Sequence, residues 1–266
     1  MTATVLPFQV FEAPEHWRTV DFISDLHLQE KDRATFNLWQ HYMQTTTADA
    51  VWILGDLFEV WVGDDAAQHH PFLLQCAADL GHCAAKRHVA FMRGNRDFLV
   101  GSAFLKACGV HDLTDPTVLN FANQRWLLSH GDEGCLGDVA YQAFRSTVRQ
   151  TAWQQSFLSK PIAEREHIAR QLRLQSQQHK NDPGTVYADV DSAWALAALK
   201  QSDCTCLLHG HTHRPGDHLL EGSAQLQRRV LSDWDAQSAE PRAEVLRWHA
   251  SGWVERVNLL DQRTSR

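Results

Sequence analysis

The sequence predicts an α/β fold, on three observations. Short apolar runs of strand length alternate with longer stretches of helical periodicity. The runs hold few polar residues and so read as strands buried on both faces. Their carboxyl ends carry Asp, Asn and His where a plain turn would suffice. With 266 residues, 44% of them hydrophobic, the chain can bury a full core, and no repeat or low-complexity tract divides it.

Residues 1–17 read as an N-terminal extension. They have no basic start, sustained apolar core or small-residue cleavage site, so no signal peptide is expected. The first strand is 20–23 (VDFI), followed by helical spacing over 32–45 and a second strand at 51–54 (VWIL). A helix over 66–86 leads to a third strand at 89–92 (VAFM), and 125–128 (RWLL) is the fourth. No strand-like run occurs from 139 to 200, where Phe144, Val148, Trp153, Phe157, Ile168 and Leu172 recur at helix-like intervals. Residues 138–200 are therefore expected to form a helical cap inserted in one core domain made of 18–137 and 201–260. The fifth strand is 204–208 (CTCLL). Strands then follow at 218–220, 225–231, 244–248 and 253–257, with Gly222 and Ser251-Gly252 as turn signals.

Bulk properties narrow the function. Six cysteines in mostly apolar contexts, without paired CxxC spacing, predict reduced thiols in a cytoplasmic protein. No apolar run approaches the roughly 18 residues of a membrane span. A net charge of -7 argues against general nucleic-acid affinity.

The ends of the five buried runs carry the chemistry. They lead in turn into Ser24-Asp25-Leu26-His27, Gly55-Asp56, Gly94-Asn95, Ser129-His130-Gly131-Asp132 and His209-Gly210-His211-Thr212-His213. Alone, Asp-x-His is a common turn with a helix cap, and Gly-Asp and Gly-Asn are ordinary turn pairs. In open α/β sheets, however, ligands bind at the carboxyl edge, so five separated segments converge on one crevice. His16, His69, His70, His111 and His249 read as surface or structural, whereas the three alternating imidazoles at 209–213 have little packing advantage. The candidate ligands are thus Asp25, His27, Asp56, Asn95, His130, His211 and His213. Imidazole, carboxylate and amide oxygen without thiolate suit Mn²⁺, Fe or Zn. Seven ligands exceed one ion. Two ions sharing a carboxylate would each have four protein ligands, leaving positions for water and substrate oxygens, as in a two-metal hydrolase.

In this order, D-x-H, G-D, G-N, H-G-D and G-H-T-H resemble the calcineurin-like metallophosphoesterases. The segments 56–65, 94–99, 130–145 and 209–215 further resemble the UDP-2,3-diacylglucosamine diphosphatases of lipid A biosynthesis, a similarity covering about 18 to 257. The resemblance implies a four-layer α/β/β/α sandwich with a helical cap. It implies two Mn²⁺, one held by Asp25, His27 and His213, the other by Asn95, His130 and His211, with Asp56 bridging. It implies that activated water attacks the α-phosphorus of UDP-2,3-diacylglucosamine, giving lipid X and UMP, with Asp56, Asn95 and Arg96 catalytic. Asn95, Arg96, Asp138, Ser176, Lys180 and His211 match substrate-contact positions, while a further family lysine falls at Pro183. The protein would be cytoplasmic and peripheral on the inner membrane, without nucleic acid or a required protein partner. His209 and the Asp64-Asp65 pair are expected to support the ligands through hydrogen bonds.

Two further segments carry readings of their own. Related phosphoesterases typically have His after Gly-Asn, able to protonate a departing alkoxide. Arg96 stays charged and suits a leaving group that needs none, such as a phosphate monoester. On this reading Arg96 grips the diphosphate, while Asp97 buttresses the turn or the guanidinium, or caps the next helix. Between 139 and 180 stand seven basic residues, Arg145, Arg149, Lys160, Arg165, Arg170, Arg173 and Lys180, against Glu164 and Glu166. Interleaved with Trp153, Phe157, Leu158, Ile162, Ile168 and Leu172, they are expected to meet an anionic membrane surface or to cover an acylated substrate.

Overall fold

Two six-stranded sheets form the centre of the computed structural model, which describes residues 8–181, 188–220 and 225–261; at 175–177 and 179–181 it describes the backbone alone. The first sheet holds β2 (Thr19–Ile23), β3 (Ala50–Leu54), β4 (His88–Met92), β5 (His111–Leu113), β11 (Glu244–His249) and β12 (Val254–Asn258), in the order β12-β11-β2-β3-β4-β5. β2 to β5 are parallel, and β11 returns antiparallel beside β2. The second holds β1 (Gln9–Glu12), β6 (Thr117–Phe121), β7 (Gln124–Ser129), β8 (Cys206–His209), β9 (Gly216–Leu219) and β10 (Gln227–Val230), in the order β1-β6-β7-β8-β10-β9.

Three apolar clusters separate four layers. Between the sheets lie Phe22, Trp52, Leu54 and Met92 from one and Trp126, Leu128 and Leu208 from the other. Trp126 and Trp248 stack across the gap with centroids 3.9 Å apart and planes 10° from parallel. The outer face of the first sheet is covered by α1 (Arg33–Thr45), α3 (Pro71–Ala84) and α4 (Ser102–Ala107). α1 buries Phe36, Trp39, Tyr42 and Met43, one stripe at 3.6-residue spacing, and Asp32 caps it by accepting Thr35 N–H at 3.0 Å. The second sheet is covered by α8 (Ser192–Ser202), which lays Ala195 and Leu199 on Val118, Leu127 and Leu207.

The structure revises several expectations. The helix expected over 66–86 is two pieces, α2 (Asp64–Ala67) and α3, because Pro71 starts a new helix and cannot continue one. The strand expected at 204–208 begins at Cys206. Residues 8–17 of the expected extension are not outside the fold. β1 pairs in parallel with β6 as an edge strand, and Trp17 is buried between the sheets. The cap consists of α5 (Val139–Val148), α6 (Thr151–Leu158) and α7 (Ile162–Asn181), whereas α8 belongs to the outer layer of the core. All six cysteines are buried and free.

Candidate metal centre

Parallel register brings the ligand-bearing loops to one edge. Ile23 lies opposite Ile53, and Ile53 opposite Phe91, so the loops after β2, β3 and β4 emerge side by side; Leu128 opposite Leu208 does the same for β7 and β8. The first two loops then zip together. Asp25 N–H donates to Gly55 O at 3.1 Å, His27 N–H to Asp56 O at 3.0 Å and Leu28 N–H to Leu57 O at 2.8 Å. Five of the eight non-glycine residues with positive φ among the described residues are candidate ligands: Asp25, His27, Asp56, His211 and His213, at 49° to 66°. Such backbone is costly for a residue with a Cβ, and its concentration here marks the loops as shaped for their side chains. Close approach also fixes Gly94, where any Cβ would overlap the Asp56 carboxylate.

The seven side chains form two adjoining groups. In one, His27 Nε2 is 3.3 Å from His213 Nε2, and His213 Nε2 is 3.4 Å from Asp25 Oδ1. In the other, Asn95 Oδ1 is 2.9 Å from His130 Nε2 and 2.7 Å from His211 Nδ1. Asp56 lies between them, Oδ2 3.9 Å from His27 Nε2 and Oδ1 3.7 Å from His130 Nε2. Two clusters of potential ligand atoms result, Asp25/His27/His213 and Asp25/Asp56/His130. The donor set fits divalent ions. Atoms bound at about 2.0–2.2 Å stand roughly 3.0–3.5 Å apart, close to the spacing in the first group. Asp25 Oδ1 is buried with no hydrogen-bond partner among the described residues, a cost that a cation removes.

Electrostatics in the bare site point the same way. Burial disfavours charge on His213, but the carboxylates of Asp233 and Asp25 outweigh it and lift the ring to about 10. Burial also opposes the charge on His130, which Asp56, Asp25 and Asp132 raise to about 9. His211 goes the other way, to about 4, through burial and the charge of His130. Burial would raise Asp25, yet contact with His213 holds it well below the usual carboxylate range.

Several supporting residues were not singled out by the sequence. Glu59 Oε2 lies 2.9 Å from His27 Nδ1, and Asp233 Oδ2 lies 3.3 Å from His213 Nδ1, so both imidazoles of the first group have a carboxylate behind them. His130 Nδ1 donates instead to Leu54 O at 2.9 Å. Asp132, fully buried, accepts from Tyr141 Oη and from Arg145 Nε at 2.9 Å, with Arg149 Nη2 at 3.6 Å. A carboxylate behind an imidazole was the available signal, but acidic residues are too common to single out without coordinates.

The remaining candidates divide. Asp97 is fully buried and receives N–H groups of Gly94 (2.8 Å), Asp56 (3.3 Å) and Phe58 (3.3 Å), so it buttresses the turn rather than the guanidinium. Among the described residues the Arg96 side chain makes no hydrogen bond or ion pair, and its charge helps to hold Glu59 below the usual carboxylate range. Asp138 caps α5, accepting Tyr141 N–H at 3.0 Å. The side chains of Ser176 and Lys180, and Pro183 altogether, lie outside the described residues. Among the described residues His209 makes no hydrogen bond to a candidate ligand's side chain. It is buried beneath Gly131 with Nδ1 2.8 Å from Gly210 O, and so supports the loop backbone. Asp64 receives Trp61 Nε1–H (3.0 Å) and the N–H groups of Gly101 (2.9 Å) and Phe104 (3.3 Å), and Asp65 pairs with Arg165; neither supports a ligand.

Among the described residues the basic side chains of the insertion do not form a free cationic face. Arg145 engages Asp132 and Glu133, Arg149 lies near Asp132, Arg165 pairs with Asp65 and Arg173 with Glu59. Arg165 is 2% exposed, which removes it from any surface role.

Comparison with known proteins agrees with this geometry. The family model described as calcineurin-like phosphoesterase matches residues 18–215. A UDP-2,3-diacylglucosamine hydrolase of Chromobacterium violaceum is 44% identical over 221 residues, 81% of this chain and 90% of that one. Proteins of the same name from Aromatoleum aromaticum (38% identity, 87% of this chain, 93% of that one) and Bordetella pertussis (40%, 82% and 86%) are also similar. With the candidate ligands gathered at the sheet edge, the family match across most of the chain and relatives of this similarity, the protein belongs to the calcineurin-like phosphoesterases and, within them, to the UDP-2,3-diacylglucosamine hydrolase family.

Proposed function

We propose that the protein hydrolyses the pyrophosphate bond of UDP-2,3-diacylglucosamine, yielding 2,3-diacylglucosamine 1-phosphate and UMP in lipid A synthesis. The observation that carries this reading is a two-group set of candidate ligands followed, on the residue after Asn95, by an arginine whose side chain has no partner among the described residues. Asp25, His27 and His213 would hold one Mn²⁺, Asn95, His130 and His211 a second, and Asp56 both. When bound, such ions supply Lewis acidity toward phosphoryl oxygens and lower the pKa of water. The chain's own residues do the rest. Asp97 and the Gly94 turn fix Asn95 and Arg96 relative to Asp56, whose Oδ1 accepts Arg96 N–H at 2.8 Å. The Arg96 guanidinium, free of protein partners among the described residues, offers a planar fork to the diphosphate. Asn95, His211, Asp138, Ser176 and Lys180 are proposed to contact the sugar and phosphates.

Acylation of the substrate fits the surroundings. Val60, Leu158 and Leu174 are exposed around the cap, and Leu136 and Val139 on the approach to α5, Val139 at 75%. These apolar surfaces support acyl-chain binding and peripheral contact with an anionic membrane on its cytoplasmic face. Among the described residues Arg170, 64% exposed, and Lys160 are the cap cations most open to solvent, each beside a glutamate, so the electrostatic share of that contact is modest. No helix among the described residues is long and apolar enough to cross a membrane.

The test is hydrolysis of purified UDP-2,3-diacylglucosamine in ¹⁸O-water with Mn²⁺. Label in UMP is the expected outcome, since attack falls on the α-phosphorus. Label in the sugar phosphate, or no turnover beside rapid cleavage of simple phosphate esters, overturns the assignment. Arg96→Ala should lower kcat/KM by about 10²-fold, the scale of losing one electrostatic stabiliser. Arg96→His should not restore cleavage of the pyrophosphate.

A further inference from the structure

Two contacts fasten α7 to the segment between β3 and α3, and one of them continues to a candidate metal ligand. Arg165 lies against the Asp65 carboxylate and donates from Nη1 to Val62 O at 2.5 Å and from Nε to Lys160 O at 3.0 Å. Gly63, φ 129°, sits beneath this guanidinium and beneath Leu158, where a Cβ would collide with the arginine. Eight residues farther along α7, about 12 Å at 1.5 Å per residue, Arg173 Nη2 stands 2.8 Å from Glu59 Oε1. The second oxygen of Glu59 faces His27 Nδ1 at 2.9 Å, and the opposite nitrogen of that ring faces His213 and Asp56.

Glu59 is 8% exposed. A carboxylate so far removed from water is costly unless both oxygens are engaged, and here one serves the cap helix and the other an imidazole. Arg173 remains partly exposed, so water would solvate it without Glu59. Arg165 already pins the helix. The second contact is therefore not needed to hold α7 down, whereas it joins the helix to the carboxylate that stands 2.9 Å from His27 Nδ1, where it can orient the ring.

We infer that Glu59 is a positioning residue that couples docking of α7, through Arg173, to the orientation of His27, so that cap docking and metal loading of the Asp25/His27/His213 group strengthen each other. The coupling rests on the proposed role of His27 as a ligand. Because linkage between binding events is reciprocal, an ion that fixes His27 also fixes Glu59 and the helix beyond it.

The experiment uses the full chain, freed of metal by chelation and titrated with Mn²⁺ in a calorimeter. Amide hydrogen exchange over residues 162–174 is followed with and without Mn²⁺. In the parent, Mn²⁺ should slow exchange in α7. Glu59→Gln, nearly isosteric, should weaken one of the two ions about tenfold or more, the effect of losing a partner behind a ligating histidine, and should abolish the slowing. Arg173→Met leaves the Glu59 contact with His27 in place, yet should also abolish the slowing and weaken the same ion about fivefold, the lower end of coupling between sites. Arg173→Lys, which keeps a cation near Glu59, should restore both. A double variant Glu59→Gln/Arg173→Met should bind Mn²⁺ like Glu59→Gln alone, since the two residues act in one chain. Parental affinity and parental slowing in Arg173→Met, or fully additive losses in the double variant, would overturn the coupling while leaving the ligand assignment intact. A parent that binds no Mn²⁺ would overturn the ligand assignment, and the coupling with it.

Discussion

At the scale of single residues, carboxylates behind the ligands decide how the site behaves. Asp97 accepts three backbone N–H groups in a fully buried place. Asp97→Ala should cost about 3 kcal/mol in denaturant unfolding, because charge-assisted bonds are lost and buried donors are left unpaired. The imidazoles give a pH dependence. His213 and His130 are raised to about 10 and about 9 in the bare site, so both carry protons at pH 7 that an ion must displace. Mn²⁺ affinity should therefore rise steadily from pH 6 to pH 9, with protons released on binding, as calorimetry in buffers of different ionisation enthalpy would detect. Without metal the sign reverses. A raised histidine stabilises fully below its unfolded value of about 6.5 and loses that contribution as pH climbs through its folded value, so the chelated protein should weaken over this range. The ligands were legible because each closes a buried run. Glu59 and Asp233 were not, since contacts of 2.9 and 3.3 Å to His27 and His213, in separate segments, leave no local pattern.

At the scale of elements, legibility followed burial among the parallel strands of the first sheet but not for β6, a mostly buried strand whose apolar residues are few and interrupted by Asn120. β2, β3 and β4 are almost wholly buried parallel strands and announce themselves as runs that are apolar but for Asp21 within β2 and Thr19 and His88 at the starts of β2 and β4. β5 has three residues, and β1 is an edge strand with every second residue exposed, so neither had enough apolar signal to be recognised. α8 was assigned to the cap because helical periodicity says nothing about which layer a helix joins; its contacts with β7 and β8 settle that. The Asp64-Asp65 pair also resolves at this scale. Asp64 holds the start of α4 through Gly101 and Phe104, and ties Trp61 to it. Asp64→Ala should lower stability by about 2–3 kcal/mol by unpairing these donors, while Mn²⁺ stoichiometry stays at the parental value. A loss of metal without a loss of stability would contradict this division of roles.

At the scale of the whole molecule, the candidate ligands come from both sheets. Asp25, His27, Asp56 and Asn95 follow strands of the first, and His130, His211 and His213 follow strands of the second. An ion held by both sheets resists their separation. At Mn²⁺ about 100 times above Kd the stabilisation is about 2.7 kcal/mol. For a chain of this size that corresponds to a melting temperature roughly 5–10 °C higher than after chelation, readable by calorimetry. Unchanged melting on chelation of a protein shown to contain metal would place the ions elsewhere.

The spread of these residues along the chain also has a meaning in time. A ribosome delivers the protein from residue 1 at about 5–20 residues per second, so β2, β3 and β4 can begin to pair well before β8 exists. His213 lies near the end of the sequence, and the strand that must precede it, Cys206–His209, seats itself between β7 and β10. The nascent first sheet thus presents Asp25, Asp56 and Asn95 with no histidines opposite, and a chain released early would carry an incomplete pair of groups. Completion of the centre is consequently a late event of biosynthesis, and a product truncated before residue 206 should be metal-poor, since it lacks His211 and His213 together with β8, β9 and β10 of the second sheet and β11 and β12 of the first.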